Sequence, residues 1–147
     1  IVHGVVKEDE GVVDAPIGRH PQDRKKMCIN HQNGKSAVTH YRVLKRFSGF
    51  THIECRLETG RTHQIRVHFS WLGHPLAGDS LYGGHTDIIA RHALHCAVLR
   101  FNRPADHEPR RVQSPLPEDF LAACCAAYLP DKEEIQTMLQ SVLPCAE

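Results

Sequence analysis

The sequence predicts an α+β fold, a mainly antiparallel mixed sheet with helices packed against it. Three observations point there. Strand-like alternation and turn residues fill the first half of the chain, helical periodicity begins only after residue 60, and 147 residues with 41% apolar and 24% charged content suit one core rather than two. No apolar run approaches the roughly 20 residues of a membrane helix, and Ile1 to Glu10 lack a basic segment followed by an apolar one. A membrane partner and secretion are therefore not expected, and a cytoplasmic location is.

The elements follow in order. Ile1 to Val6 reads as a strand already under way, so the chain is expected to be a fragment or a processed piece. Gly11 to Ile17 reads as a short strand and Met27 to Ile29 as another, with a Pro-containing loop between them. Asn33-Gly34 is a hairpin signal ahead of the long alternating run Ser36 to Phe47, and Ser48-Gly49 turns the chain into Phe50 to Leu57. Together these predict an antiparallel meander. Thr59-Gly60 ends it, and Ile65, Phe69 and Leu72 then fall at i, i+4 and i+7, predicting a helix over Thr62 to Leu72 whose apolar side docks on the sheet. The opposite stripe carries Thr62, Arg66 and Ser70. A Gly- and Pro-rich loop over Gly73 to Gly84 is longer than a connection requires. Beyond it come a strand around Leu94 to Phe101, a Pro-bounded connection through Arg110, a helix over Pro117 to Leu129 with an acidic start, and an amphipathic helix over Asp131 to Leu143.

Charge is unevenly spread. Residues 1–75 hold twelve cations and seven carboxylates, whereas residues 76–147 hold six and ten. Between residues 17 and 46, eight cations face Asp23 alone. Arg19, Arg24, Lys25 and Lys26 fall within eight residues in a loop, where helical i,i+4 pairing cannot neutralise them. Such a cluster is either a solvated face or a grip on phosphates.

Other chemistries find little support. The six cysteines have no repeated spacing and no CxxC pair, and Cys124-Cys125 in an Ala-rich segment reads as buried helix positions in a reducing compartment. Twelve histidines invite a metal, with His63, His68, His74, His92 and His95 as candidates, but HExxH and zinc-finger spacings are missing, so no metal is expected. Neither GxxxxGK[ST], GxGxxG after a strand, nor GxSxG occurs, so no nucleotide cofactor and no serine hydrolase is indicated.

One stretch has high specificity. Leu57-Glu58-Thr59-Gly60-Arg61-Thr62-His63-Gln64-Ile65-Arg66-Val67-His68, then Gly73-His74-Pro75-Leu76-Ala77-Gly78-Asp79 and Leu81-Tyr82-Gly83, resembles the third motif of RluA-type pseudouridine synthases. The resemblance extends through Asp14 to Arg19, Asp23 to Met27, Lys35 to Leu44, Leu94 to Phe101 and Ser114 to Phe120, so that about residues 1–125 look like this family. It implies that residues 1–147 are the C-terminal portion of a synthase catalytic domain acting on RNA, rRNA or tRNA, without a cofactor. DNA is not implied as a partner.

In the family an aspartate in a His-Arg-Leu-Asp motif attacks, and an active-site tyrosine stands nearby. Neither motif occurs in these 147 residues, and the family places both upstream. The chain alone is therefore expected to be inactive. The resemblance makes Arg66 the arginine that pairs with that aspartate, which leaves it an unpaired cation here; the alternative is a surface salt bridge, and its place on the helix face opposite Ile65 and Phe69 favours the pairing role. Leu99 and Leu76 are candidates for an apolar wall against a flipped base, and equally for core positions. Arg61, Thr62, His63 and Gln64 either brace the helix start or approach the RNA backbone. Asp79 and Tyr82 are expected to fix the long loop by hydrogen bonds, and Arg19, Arg24, Lys25 and Lys26 become candidate RNA contacts. The alternative function is a non-catalytic RNA-binding module on the same scaffold.

Overall fold

The computed structural model describes residues 1–128, and the helix expected over Asp131 to Leu143 lies outside them. The described residues divide into two compact units, 1–93 and from 94 onward. In the first, β1 (Val2–His3), β2 (Glu10–Asp14), β5 (Val38–Arg46) and β6 (Phe50–Leu57) form a four-stranded sheet in the order β1-β6-β5-β2. A separate hairpin pairs β3 (Ile17–Arg19) with β4 (Met27–Ile29). All described pairings are antiparallel.

This order is not the expected meander. Only β5 and β6 are sequential neighbours, while β2 pairs with the far side of β5 and β1 with the far side of β6. The strand expected over Gly11 to Ile17 splits in two, because Pro16 has no N–H to donate to a ladder. β2 stays in the large sheet and β3 leaves it. The Asn33-Gly34 turn likewise does not fold β4 onto β5. The Asn30 side chain instead accepts the N–H groups of Gln32 and Asn33, its carbonyl accepts that of Gly34, and β4 returns to β3. Of the strand expected at Ile1 to Val6, only Val2 and His3 pair.

Helix α1 (Gln64–Trp71) begins two residues later than expected, since His63 adopts a left-handed conformation with φ 56°. Its buried face also differs. Gln64, Val67, His68 and Phe69 are buried, Ile65 is half-buried, and Leu72 is 39% exposed. Two polar side chains can be buried because their hydrogen bonds are complete. Gln64 donates to the Val38 carbonyl and Thr39 Oγ1, and accepts from the Arg61 N–H and the Thr59 hydroxyl. His68 Nε2 lies 2.9 Å from the Ala15 carbonyl and its Nδ1 2.9 Å from Thr39 Oγ1. The Ala15 carbonyl can only accept, so Nε2 carries a proton, and burial lowers the His68 pKa, which favours the neutral ring with Nδ1 facing the Thr39 hydroxyl. Gln64, His68 and Thr39 thus fasten α1 to β5 and to the Ala15 carbonyl just after β2. Beside them Ile17, Ala37 and Val67 form a buried cluster against which Met27, Ile29 and Tyr82 pack.

In the second unit, β7 (Val98–Asn102) pairs with β8 (Pro109–Gln113), and α2 (Glu118–Tyr128) follows. The connection expected through Arg110 is thus in part a strand. Helix α2 falls where the Pro-Glu-Asp start places it, with Cys124 fully buried. Cys28, Cys55, Cys96, Cys124 and Cys125 are free thiols.

Candidate active site

The loop after α1 is held by its backbone. The Asp79 N–H donates to the Leu76 carbonyl, and the Asp79 carbonyl accepts the N–H groups of Tyr82 and Gly84, closing the 3-10 turn Ser80–Tyr82. Gly78, with φ +75°, lies so close to the chain that a Cβ there would stand 2.0 Å from the Arg91 carbonyl oxygen. Only glycine fits both conditions. The loop therefore has a fixed path, and it aims the buried Asp79 carboxylate back at α1.

Arg66 meets that carboxylate. Its Nε donates to Asp79 Oδ2 at 2.7 Å and its Nη2 to Asp79 Oδ1 at 2.8 Å, and its Cζ lies 4.9 Å from the centroid of the Tyr82 ring. The bond to Asp79 raises the Arg66 pKa, so the guanidinium stays charged at any working pH. The expected unpaired cation is thus corrected: Arg66 has a buried partner within the chain. Asp79 and Tyr82 do fix the loop by hydrogen bonds, but their convergence on Arg66 was missed. Thirteen residues separate Arg66 from Asp79, and neither helical nor strand periodicity links positions on two sides of a loop.

A guanidinium carries five N–H donors, of which the bidentate pair uses two. Arg66 can therefore hold Asp79 on one edge and present the remaining donors to a second anion. Next to it, the Tyr82 hydroxyl lies 2.8 Å from His63 Nδ1 and accepts the Met27 N–H at 2.9 Å. The His63 pKa is lowered by burial first and by the Arg66 charge second, both of which disfavour the protonated ring. The same two causes lower the His92 pKa.

The other candidates take varied places. Arg61 is exposed and donates from Nε to the Ser36 carbonyl, Thr62 is exposed, and Gln64 is consumed by its four internal bonds. Leu76 is 1% exposed in the core of the first unit, whereas Leu99 is 54% exposed on β7 of the second. Arg19, the last residue of β3, and Arg24 and Lys25 on the loop that joins β3 to β4 are exposed, and Lys26 on that loop is half-buried. That loop is ordered: His20 Nδ1 accepts the N–H groups of Gln22 and Asp23, Asp23 Oδ1 accepts that of Lys25, and the His20 N–H donates to the Lys26 carbonyl. Among the described residues no three His, Cys, Asp or Glu side chains gather as metal ligands, and no helix is long and apolar enough to cross a membrane.

Comparison with known proteins converges on one class, enzymes that rearrange uridine in RNA. The RNA pseudouridylate synthase family model matches residues 1–71. An RNA pseudouridine synthase of Bacillus subtilis strain 168, YlyB, is 52% identical over 121 residues, covering 82% of this chain and 40% of its own length. Ribosomal large subunit pseudouridine synthase D of Pseudomonas aeruginosa is 48% identical over 135 residues, covering 82% of this chain and 42% of its own. Among solved structures, human RNA pseudouridylate synthase domain containing 1 superposes with a TM-score of 0.70 at 30% identity, covering 95% of this chain and 63% of that one. The chain belongs to the RluA-type pseudouridine synthase family. It spans about two-fifths of the length of these curated relatives.

Proposed function

We propose that the protein carrying this chain is an RNA pseudouridine synthase and that residues 1–128 supply the arginine side of its active site. The observation that carries the proposal is Arg66, standing in the family's third motif with one edge on Asp79 and its remaining donors uncommitted to Asp79. The reaction breaks the N1–C1′ bond of a uridine, turns the base, and joins C5 to C1′. The proton on C5 passes to solvent and N1 gains one, so no oxidant, reductant or cofactor is needed.

Arg66 would hold the nucleophilic carboxylate ionised and aim it, as a charged, half-buried guanidinium does for an anion in hydrogen-bond reach. In the family that carboxylate belongs to a His-Arg-Leu-Asp motif, which these 147 residues do not contain, and positioning by Arg66 cannot replace a nucleophile. The ordered loop bearing Arg19, Arg24, Lys25 and Lys26 would take RNA phosphates, with Arg61 and Thr62 exposed at the start of α1 for a further backbone contact. His63 and Gln64 brace that helix start. Leu76 is enclosed in the core of the first unit, which leaves it no face for a base, and Leu99 is an exposed apolar side chain of the second unit. Large-subunit ribosomal RNA is the substrate class suggested by the names of the relatives, and the cytoplasm is the setting that fits such an RNA.

Mapping of pseudouridine by carbodiimide modification, in ribosomal RNA incubated with the full-length protein, tests the proposal. New modification at a discrete uridine is expected. Binding to RNA without modification would replace the enzyme by the non-catalytic RNA-binding module.

A further inference from the structure

Tyr82 occupies an unusual junction. Its hydroxyl accepts the N–H of Met27, the β4 residue directly across from Arg19, at the point where the basic loop closes. The same hydroxyl lies 2.8 Å from Nδ1 of His63, the residue whose left-handed backbone starts α1. Its one proton is free for His63, because the Met27 bond uses the oxygen as acceptor. Its ring face lies against the Arg66 guanidinium, its N–H donates to the Asp79 carbonyl, and its carbonyl accepts the Ser70 hydroxyl of α1.

One side chain thus touches the base of the cationic loop, the strained entry to α1 and the arginine. A non-glycine residue at φ 56° is held only where its surroundings over-determine it, and the hydroxyl and the edge-to-face contact of the His63 and Tyr82 rings are part of that restraint. Arg66 is the third residue of the same helix, so a displacement of the helix entry at His63 is carried to the arginine. A shift of the hairpin that moved the Met27 amide would pull on the tyrosine and through it on the guanidinium.

We propose that Tyr82 is a positioning residue that couples RNA held on the Arg19 to Lys26 loop to the orientation of Arg66. The inference rests on the reading of that loop as an RNA grip and goes beyond it. RNA on the hairpin would hold Met27 on the hydroxyl and, through His63 and the tyrosine ring, restrain the guanidinium in the place between Tyr82 and Asp79 that it already occupies. Tyr82 itself touches no reacting atom.

The Arg66 Nε–H, bonded to Asp79, provides a reporter for nuclear magnetic resonance on this 147-residue chain, and Tyr82→Phe keeps the ring while removing the hydroxyl. Titration with a uridine-containing RNA hairpin is expected to shift the Arg66 Nε–H resonance in the wild type. In Tyr82→Phe that shift is expected to be lost, with RNA affinity about three- to tenfold weaker, the range of one hydrogen bond. Persistence of the shift in Tyr82→Phe overturns the coupling, whether or not affinity falls. A lowered melting temperature with shift and affinity intact also overturns it, reducing the tyrosine to a packing role. A wild-type chain that does not bind the hairpin overturns the RNA grip and the coupling together, which separates that failure from the others.

Discussion

Asp79 places both carboxylate oxygens on Arg66, at 2.7 and 2.8 Å, across the loop that returns from α1. The aspartate side chain is 1% exposed and the arginine side chain 14%, so the pair is screened little by water. Taking one partner away leaves the other charge buried without its counter-ion, the costly half of any buried pair. Asp79→Ala is expected to lower stability by about 3 kcal/mol or more. Asp79→Asn, which keeps the shape and one acceptor, is expected to lose less. Urea denaturation of both variants checks the order, and equal stability of all three proteins would contradict it.

Gly78→Ala is expected to be among the most damaging single-methyl changes. The backbone sits at φ +75°, which alone costs a non-glycine residue about 1–2 kcal/mol, and the new Cβ would lie 2.0 Å from a carbonyl oxygen of the chain. Because the loop carries Asp79, the variant should also lose the protected Arg66 Nε–H resonance. Thermal melting and one spectrum decide the matter.

His52 sets an acid dependence. It is buried on β6, and burial pushes its pKa down from 6.5 to about 3. Below pH 6.5 the unfolded chain therefore binds a proton that the folded chain refuses. Stability is expected to hold above pH 6.5 and to fall steadily as pH drops from 6.5 toward 3. His68, lowered in the same direction by burial, adds to the effect. Urea midpoints measured at neutral pH and at pH 5 should differ, and His52→Asn should flatten the difference.

The basic loop makes a prediction about salt. If Arg19, Arg24, Lys25 and Lys26 each meet a phosphate, replacing all four by Gln should reduce the slope of log affinity against log salt by about 3, at roughly 0.7 per contact on single-stranded RNA. Titrations at several salt concentrations measure it. An unchanged slope would return the cluster to a solvated face.

The strands that could be read from the sequence are those whose burial alternates or whose ends carry turn residues. Strand β6 was expected at Phe50 to Leu57 and lies there, and β5 occupies Val38–Arg46 within the expected Ser36 to Phe47. Strand β8 gave no such signal, since all five of its residues are exposed and no period-two pattern exists to be seen. Helix α1 was legible as a helix but not in its orientation. Gln64 and His68 look like surface residues until Thr39, Thr59, Ala15 and Val38 are brought around them, and those partners come from other elements. Of the site, Arg66 was legible only through the motif, and its pairing with Asp79 is a product of loop geometry that composition and spacing do not encode.

The central claim is that Arg66 serves the isomerisation of uridine in RNA. Release of tritium from C5 of labelled uridine tests it most directly, because that hydrogen leaves only when C5 bonds to the sugar. The full-length protein and its Arg66→Lys variant would be compared, the lysine keeping a cation beside Asp79 while losing the planar fork. Release by the wild type is expected, and a loss of about a hundredfold or more in kcat for the variant, with RNA binding retained. Release by the variant at the wild-type rate, or no release by the wild type on any RNA, would contradict it.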